Sequence, residues 1–305
     1  MTLETPATVA GTETGAPVST TEAPDYLVIG HVTKDVTPDG GYVIGGTVSF
    51  SSLTAQRLGK RAAVLTRCER LPDLREWLES NGVALHRVPA DETTTFENVY
   101  RGGARTQRIG PVAPPIPAEA VPEAWRSAAV VHLGPVSQEV PAEIADHFPS
   151  GSIVGVTPQG WLRAWDDSGR VRPAPWENAA AVLSRVDALI FSAEDVGGDE
   201  RLVAHYCDMA KLAVVTDHRN GCVVWQDGKR TAHPAFEIEE VDPTGAGDVF
   251  ATAFLLRYGD TRDPDDAARY ANCAASFVVE GRGLTTLPTP EQVEQRMRTG
   301  RLRPL

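Results

Sequence analysis

Short apolar runs recur along the chain, separated by longer stretches of mixed polarity. Tyr26-Leu27-Val28-Ile29 ends in Gly30, and Ala62 to Thr66, Ala84 to Val88, Val130 to Gly134, Ile153 to Val156, Ala188 to Phe191 and Leu212 to Thr216 are of the same kind. A run of apolar residues without alternation predicts a strand covered on both faces, as in a parallel sheet. Between these runs, Thr47 to Leu58, Leu71 to Asn81, Val140 to His147, Asn178 to Arg185 and Asp199 to Ala210 predict helices. Val249 to Arg257, Pro264 to Val279 and Pro290 to Arg298 predict three more. Strand and helix in alternation predict an α/β fold with a parallel sheet between helical layers.

Other segments carry a different pattern. Tyr42 to Ile44 predicts a short strand, and Thr94 to Tyr100 alternates as a strand with one covered face does. Arg101 to Ala104 then turns the chain, and Arg105 to Ile109 returns as its partner. Gly221 to Gln226 and Lys229 to Ala232 flank Asp227-Gly228, a strong hairpin signal. His31 to Gly41 reads as polar and turn-rich, and Pro111 to Pro122 as a proline-rich surface loop. Residues 1–24, rich in Thr, Ala, Pro and Glu, predict a disordered tail without the basic start and apolar core of a secretory signal. Residues 25–305 show no internal repeat and no linker, so one domain is expected there.

Composition narrows the function. With 29 Lys and Arg against 41 Asp and Glu, the net charge is −12, which argues against a nucleic acid or an anionic membrane as the main partner. No apolar run is long enough to span a membrane. Cys68, Cys207, Cys222 and Cys273 are scattered, without the paired spacing of a disulfide frame or zinc site, and predict reduced thiols in a cytoplasmic protein.

The richest chemistry lies in Val241-Asp242-Pro243-Thr244-Gly245-Ala246-Gly247-Asp248, which runs into the apolar helix from Val249. Its glycines allow a tight turn and close approach of backbone to a ligand. The unpaired N–H groups of the helix start, with the positive end of the helix dipole, suit an anion. A carboxylate in such a site would repel a phosphate unless the chemistry needs a base. Phosphoryl transfer to a hydroxyl needs one.

The stretch Asp242-Pro-Thr244-Gly245-Ala246-Gly247-Asp248 followed by Phe250 resembles the signature of the ribokinase-like (PfkB) family of carbohydrate and nucleoside kinases. The resemblance implies a three-layer α/β/α sandwich with a mainly parallel central sheet and a small β lid, here residues 42–46 and 94–109. It implies transfer of the γ-phosphoryl group of ATP to a hydroxyl of a small polyol, whether sugar, inositol or nucleoside. Asp248 would be the base, and the N–H groups of Gly245, Ala246 and Gly247 the anion hole. Gly30 to Asp35 and Gly45-Gly46 look like the acceptor-binding Asp and Gly-Gly turn of the family. Gln159 and Arg163, in a stretch similar to the Asp-Pro-Asn-x-Arg of some sugar kinases, are further acceptor or phosphate contacts. Thr216, Gly221, Thr244, Asn272 and Ser276 match the nucleotide side. Asp195, with Glu194 as the alternative, would meet Mg2+ through water, and Asp242 a monovalent cation such as K+. Pairing of lids implies a homodimer.

The chain also departs from the family pattern. Phe50 stands where an Asn is common, which predicts a more apolar or aromatic pocket wall. The usual Gly-x-Asp after the second strand is replaced by Arg67-Cys68-Glu69, and Ser192-Ala193-Glu194-Asp195 replaces the usual Asn-x-x-Glu. The altered magnesium element keeps a second reading in view, a non-catalytic regulatory protein that binds nucleotide or sugar. A nicotinamide-dependent oxidoreductase fits poorly, since Gly245-Ala246-Gly247-Asp248-Val249-Phe250 lacks the third glycine of a dinucleotide fingerprint. Neither Gly59-Lys60 nor Gly228-Lys229 is followed by the Ser or Thr of a Walker loop.

Overall fold

The computed structural model describes residues 22–101 and 104–304. Most of the predicted tail, up to residue 21, and the predicted turn at Gly102-Gly103 lie outside the described residues.

The apolar runs form the central sheet. In chain order the strands are β1 (Tyr26–Ile29), β2 (Thr33–Val36), β3 (Tyr42–Gly45), β4 (Ala62–Cys68), β5 (Ala84–Pro89), β6 (Thr95–Arg101), β7 (Ala104–Ile109) and β8 (Val130–Leu133). They continue with β9 (Ile153–Val156), β10 (Arg163–Trp165), β11 (Val171–Pro173), β12 (Ala188–Ser192), β13 (Ala213–Thr216), β14 (Cys222–Gln226) and β15 (Lys229–His233). The helices are α1 (Thr47–Arg57), α2 (Pro72–Ser80), α3 (Ala179–Leu183), α4 (Glu200–Met209), α5 (Ala246–Thr261), α6 (Pro264–Val279) and α7 (Pro290–Thr299).

Nine strands pair in the order β15-β14-β13-β12-β9-β8-β1-β4-β5. From β13 to β5 every pair is parallel, and the predicted hairpin β14-β15 adds an antiparallel edge. Alternate side chains of each strand feed separate cores. Tyr26 and Val28 pack with α1, α2, α5, α6 and α7 on one face. Leu27 and Ile29 pack with α3, α4, Trp125 and Ile144 on the other. The result is a three-layer α/β/α sandwich. Sequence caps set several helix starts: Asp199 accepts N–H bonds for α4, Asp263 does so ahead of Pro264 in α6, and Thr289 forms a capping box with Gln292 in α7.

A second sheet of four strands, ordered β3-β2-β6-β7, stands apart from the first. It is larger than the pattern predicts. Strand β2 lies in the segment read as turn-rich, because Thr33-Lys34-Asp35-Val36 lacks apolar alternation. Tertiary pairing makes it a strand, antiparallel to β3 and parallel to β6. Two more departures have local causes. Val140 to His147 holds only a 3-10 turn, Ala142–His147, between Pro141 and Pro149. The stretch from Arg163 onward forms an antiparallel hairpin, β10-β11, closed by an Asp166 carboxylate that accepts from Ser168 N, Ser168 Oγ and Arg170 N.

Candidate active site

The C-terminal ends of β1, β9, β12 and β13 point to one edge of the parallel sheet, where ligands of open α/β sheets collect. Two helices start at this edge. Gly46, with φ 88°, opens α1, and Gly245, with φ 82°, opens α5. Both need the left-handed conformation that glycine adopts without steric cost. A Cβ on Gly46 would strike the His31 carbonyl oxygen, and one on Gly245 would strike the ring of Phe50. Phe50 is half-buried and braces the turn before α5.

Asp248 sits in the first turn of α5, part-exposed and so reachable. Loss of water around its carboxylate pushes its pKa up to about 6, and the charge of Asp195 pushes the same way. A hydrogen bond with the Thr47 side chain and the charge of Arg163 oppose the rise. Asp195 in turn accepts from Ser192 N at 2.9 Å and is hydrogen-bonded to the Gln159 side chain. Burial raises its pKa, and the charge of Arg163 works against that rise. The Arg163 guanidinium lies 5.6 Å from the centre of the Phe96 ring. Five residues from four segments far apart in sequence, Thr47, Gln159 with Arg163, Asp195 and Asp248, therefore meet at the start of α5.

The acceptor-side candidates sit next to this cluster in the fold. Thr33 Oγ1 donates to Asp35 Oδ1 at 3.0 Å, and a Cβ on Gly45 would overlap the Asp35 carboxylate. Gly45 thus makes room for Asp35. The His31 ring is buried and neutral, its pKa lowered by burial. Its Nε2–H donates to the Pro114 carbonyl at 3.1 Å, which leaves Nδ1 to accept from Thr94 Oγ1 at 2.8 Å. This clamps the loop after β1 to the start of β6. Glu139, also buried, accepts from the N–H groups of His31, Val136 and Ser137.

The two magnesium candidates separate. Asp195 faces Gln159 and the charges of Arg163 and Asp248, whereas Glu194 is exposed and pairs with His218 Nε2 at 2.9 Å. Among the described residues no group of three or more His, Cys, Asp and Glu could hold a metal ion.

The nucleotide-side candidates are more scattered. Thr216 ends β13, with Oγ1 3.4 Å from the Phe191 carbonyl. Gly221, at φ 96°, lets the chain pass against the His233 carbonyl. Thr244 is exposed, and its N–H donates to Asp242 Oδ1 at 3.0 Å. Asn272 is buried and donates to the carbonyls of His233 and Pro234. The Ser276 hydroxyl donates to Cys273 O at 2.6 Å and accepts from Arg296 Nη1 at 2.8 Å. The side chains of Asn272 and Ser276 are thus engaged inside the protein.

A buried network below the site has no sequence signal beyond its polar residues in apolar strands. Thr252 Oγ1 donates to the Asp248 carbonyl at 2.8 Å, so the Tyr26 hydroxyl donates to Thr252. His132 Nδ1–H then donates to Tyr26 at 2.7 Å, and His132 Nε2 accepts from Thr157 Oγ1 at 2.9 Å. Each hydrogen is used once. Burial pushes the His132 pKa down to about 3, consistent with a neutral ring carrying one N–H. Thr47 was within reach of sequence reasoning, since it follows Gly45-Gly46 directly.

Comparison with known proteins agrees with this architecture. Residues 180–292 match the pfkB family carbohydrate kinase description. A cytidine kinase of Thermococcus kodakarensis is 27% identical over 273 residues, covering 80% of this chain and 92% of that protein. Among solved structures, a pyrophosphate-dependent kinase of the ribokinase family, complexed with a pyrophosphate analog and myo-inositol, superposes with a TM-score of 0.70. It is 24% identical and covers 88% of this chain and 99% of that one. Ribokinase of Arabidopsis thaliana, complexed with ribose and ATP, gives a TM-score of 0.68 at 20% identity, covering 90% and 99%. The signature at the start of α5, the parallel sheet that carries it and these relatives agree: the fold is that of the ribokinase-family structures, and residues 180–292 match the pfkB family of carbohydrate kinases.

Proposed function

We propose that this protein transfers the γ-phosphoryl group of ATP to a hydroxyl of a small polyol, a sugar, inositol or nucleoside. The observation that carries the reading is the position of Asp248. It is a part-exposed carboxylate with its pKa raised to about 6, set in the first turn of α5. It is ionised at neutral pH and basic enough to take a proton from a hydroxyl as the O–P bond forms. The proton passes to Asp248, the acceptor oxygen bonds to phosphorus, and the bond to ADP breaks.

N–H groups of Gly245 and Gly247 hold the negative charge of the transferring group, with the helix dipole behind them; the Ala246 N–H, expected in the same hole, donates instead to the Pro243 carbonyl at 3.1 Å. Arg163 adds a positive charge near both carboxylates. Asp35 and the turn at Gly45-Gly46 orient the acceptor, and Gln159 fixes Asp195. Asp195 suits Mg2+, which prefers oxygen ligands and keeps its water. With no three-residue cluster among the described residues, donor phosphates and water would supply most of the ligands. The ion would neutralise phosphate charge. Asp242, whose carboxylate already orders Thr244, would hold a monovalent cation.

The acceptor is a small molecule, in line with myo-inositol and ribose in the structural relatives. Pyrophosphate is the second donor reading. The engagement of Asn272 and Ser276 within the fold favours it, since those side chains are not presented for adenine. The test is acceptor-dependent release of ADP from ATP, or of phosphate from pyrophosphate, with Mg2+ over a panel of sugars, inositols and nucleosides. Turnover that disappears in Asp248→Asn supports the reading. Donor binding without turnover on any acceptor favours a regulatory binder.

A further inference from the structure

The β10-β11 hairpin joins two parts of the molecule that the main fold leaves separate. Its near end carries Arg163, whose guanidinium lies over Phe96 and near Asp195 and Asp248. Its far turn, Asp166 to Arg170, is seated on β7, the edge of the small sheet. Ile109 N donates to Gly169 O at 2.8 Å. Arg108 donates to Ser168 O through Nη2 at 2.7 Å, and Arg108 and Arg170 form an antiparallel bridge. Trp165 and Val171 pack on a small apolar core of Phe96, Ile109 and Val136. Gly169 has φ 77°, and a Cβ there would collide with the Ile109 carbonyl. The seat therefore requires glycine. Gln138, itself at φ 67°, donates to the Arg163 carbonyl at 2.5 Å. A left-handed non-glycine residue is backbone strain held by its surroundings.

We propose that this hairpin is a strap through which the small sheet sets the position of the Arg163 charge, making Gly169 and Arg108 positioning residues for phosphoryl transfer. The inference rests on the kinase reading, in which Arg163 steadies charge on the transferring group. A small displacement of such a group costs rate without touching the chemistry itself.

The test is a double-mutant cycle read in three ways. Gly169→Ala should speed hydrogen exchange at the Ile109 amide, which reports the seat without any turnover. It should lower kcat by roughly ten- to a hundredfold while leaving acceptor KM within about threefold. Arg163→Ala should lower kcat by roughly a hundredfold or more. In the Arg163→Ala background, Gly169→Ala should add nothing, because both act through one group. Arg108→Ala, an exposed position, should follow Gly169→Ala to a lesser degree and stands in for it if Gly169→Ala does not fold. Faster Ile109 exchange with unchanged kcat would overturn the strap, as would fully additive losses. If the unmodified protein has no turnover, the kinase reading fails. Calorimetric binding of inorganic pyrophosphate then carries the same cycle: loss of affinity only where Arg163 is present supports the strap, and equal affinity in all four proteins overturns it.

Discussion

The residues around Asp248 and those on α6 differ in how the fold treats their polar groups. Around Asp248, Thr47, Gln159, Arg163, Asp195 and Asp248 itself come from four separate segments and converge. Burial raises the pKa values of Asp248 and Asp195, and the nearby charge of Arg163 opposes both rises. The nucleotide-side candidates Asn272 and Ser276 lie one helical turn apart on α6, yet their hydrogen bonds run to His233, Pro234, Cys273 and Arg296. Both sets carry family-like residues, but only one keeps unrelieved electrostatic strain. Strain of that sort destabilises a fold and persists where chemistry needs it. A polar side chain with all its partners inside the protein is explained by folding alone.

This contrast has measurable consequences. Asp248→Asn should lower kcat by roughly two to four decades with donor affinity retained, as loss of a general base does. Unchanged turnover in a steady-state assay would remove Asp248 from the mechanism. Asp35→Ala should raise acceptor KM by roughly tenfold or more, the loss of a charge-assisted hydrogen bond, with donor KM nearly constant. Equal rises in both constants would mean a folding defect.

The pH dependence carries a sign that separates function from stability. Asp248 has its pKa raised from the ordinary Asp range to about 6, so activity should fall as pH drops through about 6. The stability of the folded state runs the other way. A carboxyl with a raised folded pKa stabilises the fold below its unfolded pKa, and that stabilisation is lost as pH rises through the folded one. Asp248→Asn should therefore raise Tm by a few degrees above about pH 7, and the gain should vanish below about pH 4. An equal Tm difference at both extremes, measured by thermal melts, would rule out titration of Asp248 as the cause.

On α6 the expectation is reversed. Asn272→Ala removes the hydrogen bonds to the His233 and Pro234 carbonyls and should cost about 1–3 kcal/mol of stability, with donor KM changed less than about twofold. A tenfold rise in donor KM at unchanged Tm would place Asn272 in the donor site after all. The smallest effect belongs to Glu194→Gln, since Glu194 and His218 form an exposed pair: kcat should stay within about twofold and Tm within about one degree.

Much of the fold was legible because buried parallel strands and capped helices write strong local patterns. Val28, Val64 and Val214 read as strand core without help from neighbours, and Pro264 and Pro290 mark helix starts that the structure places at the same residues. Strand β2 was not legible, because Thr33 to Val36 has neither alternation nor an apolar run and becomes a strand only through β3 and β6. The β10-β11 hairpin was missed for a related reason: its strands have three residues each, and its stability comes from docking on β7.

The candidate site divides in the same way. The turn from Asp242 to Asp248 announces itself, since two glycines, a carboxylate and a helix start within a few residues have a chemistry of their own. Local order along the chain is enough to determine it. Tertiary structure alone brings Gln159 to Asp195 and Arg163 near Asp248, turns Glu194 outward to His218, and seats Phe50 under Gly245. Those outcomes depend on distances between strand ends, set by the packing of two cores against one sheet. Spacing in sequence carries no record of such distances.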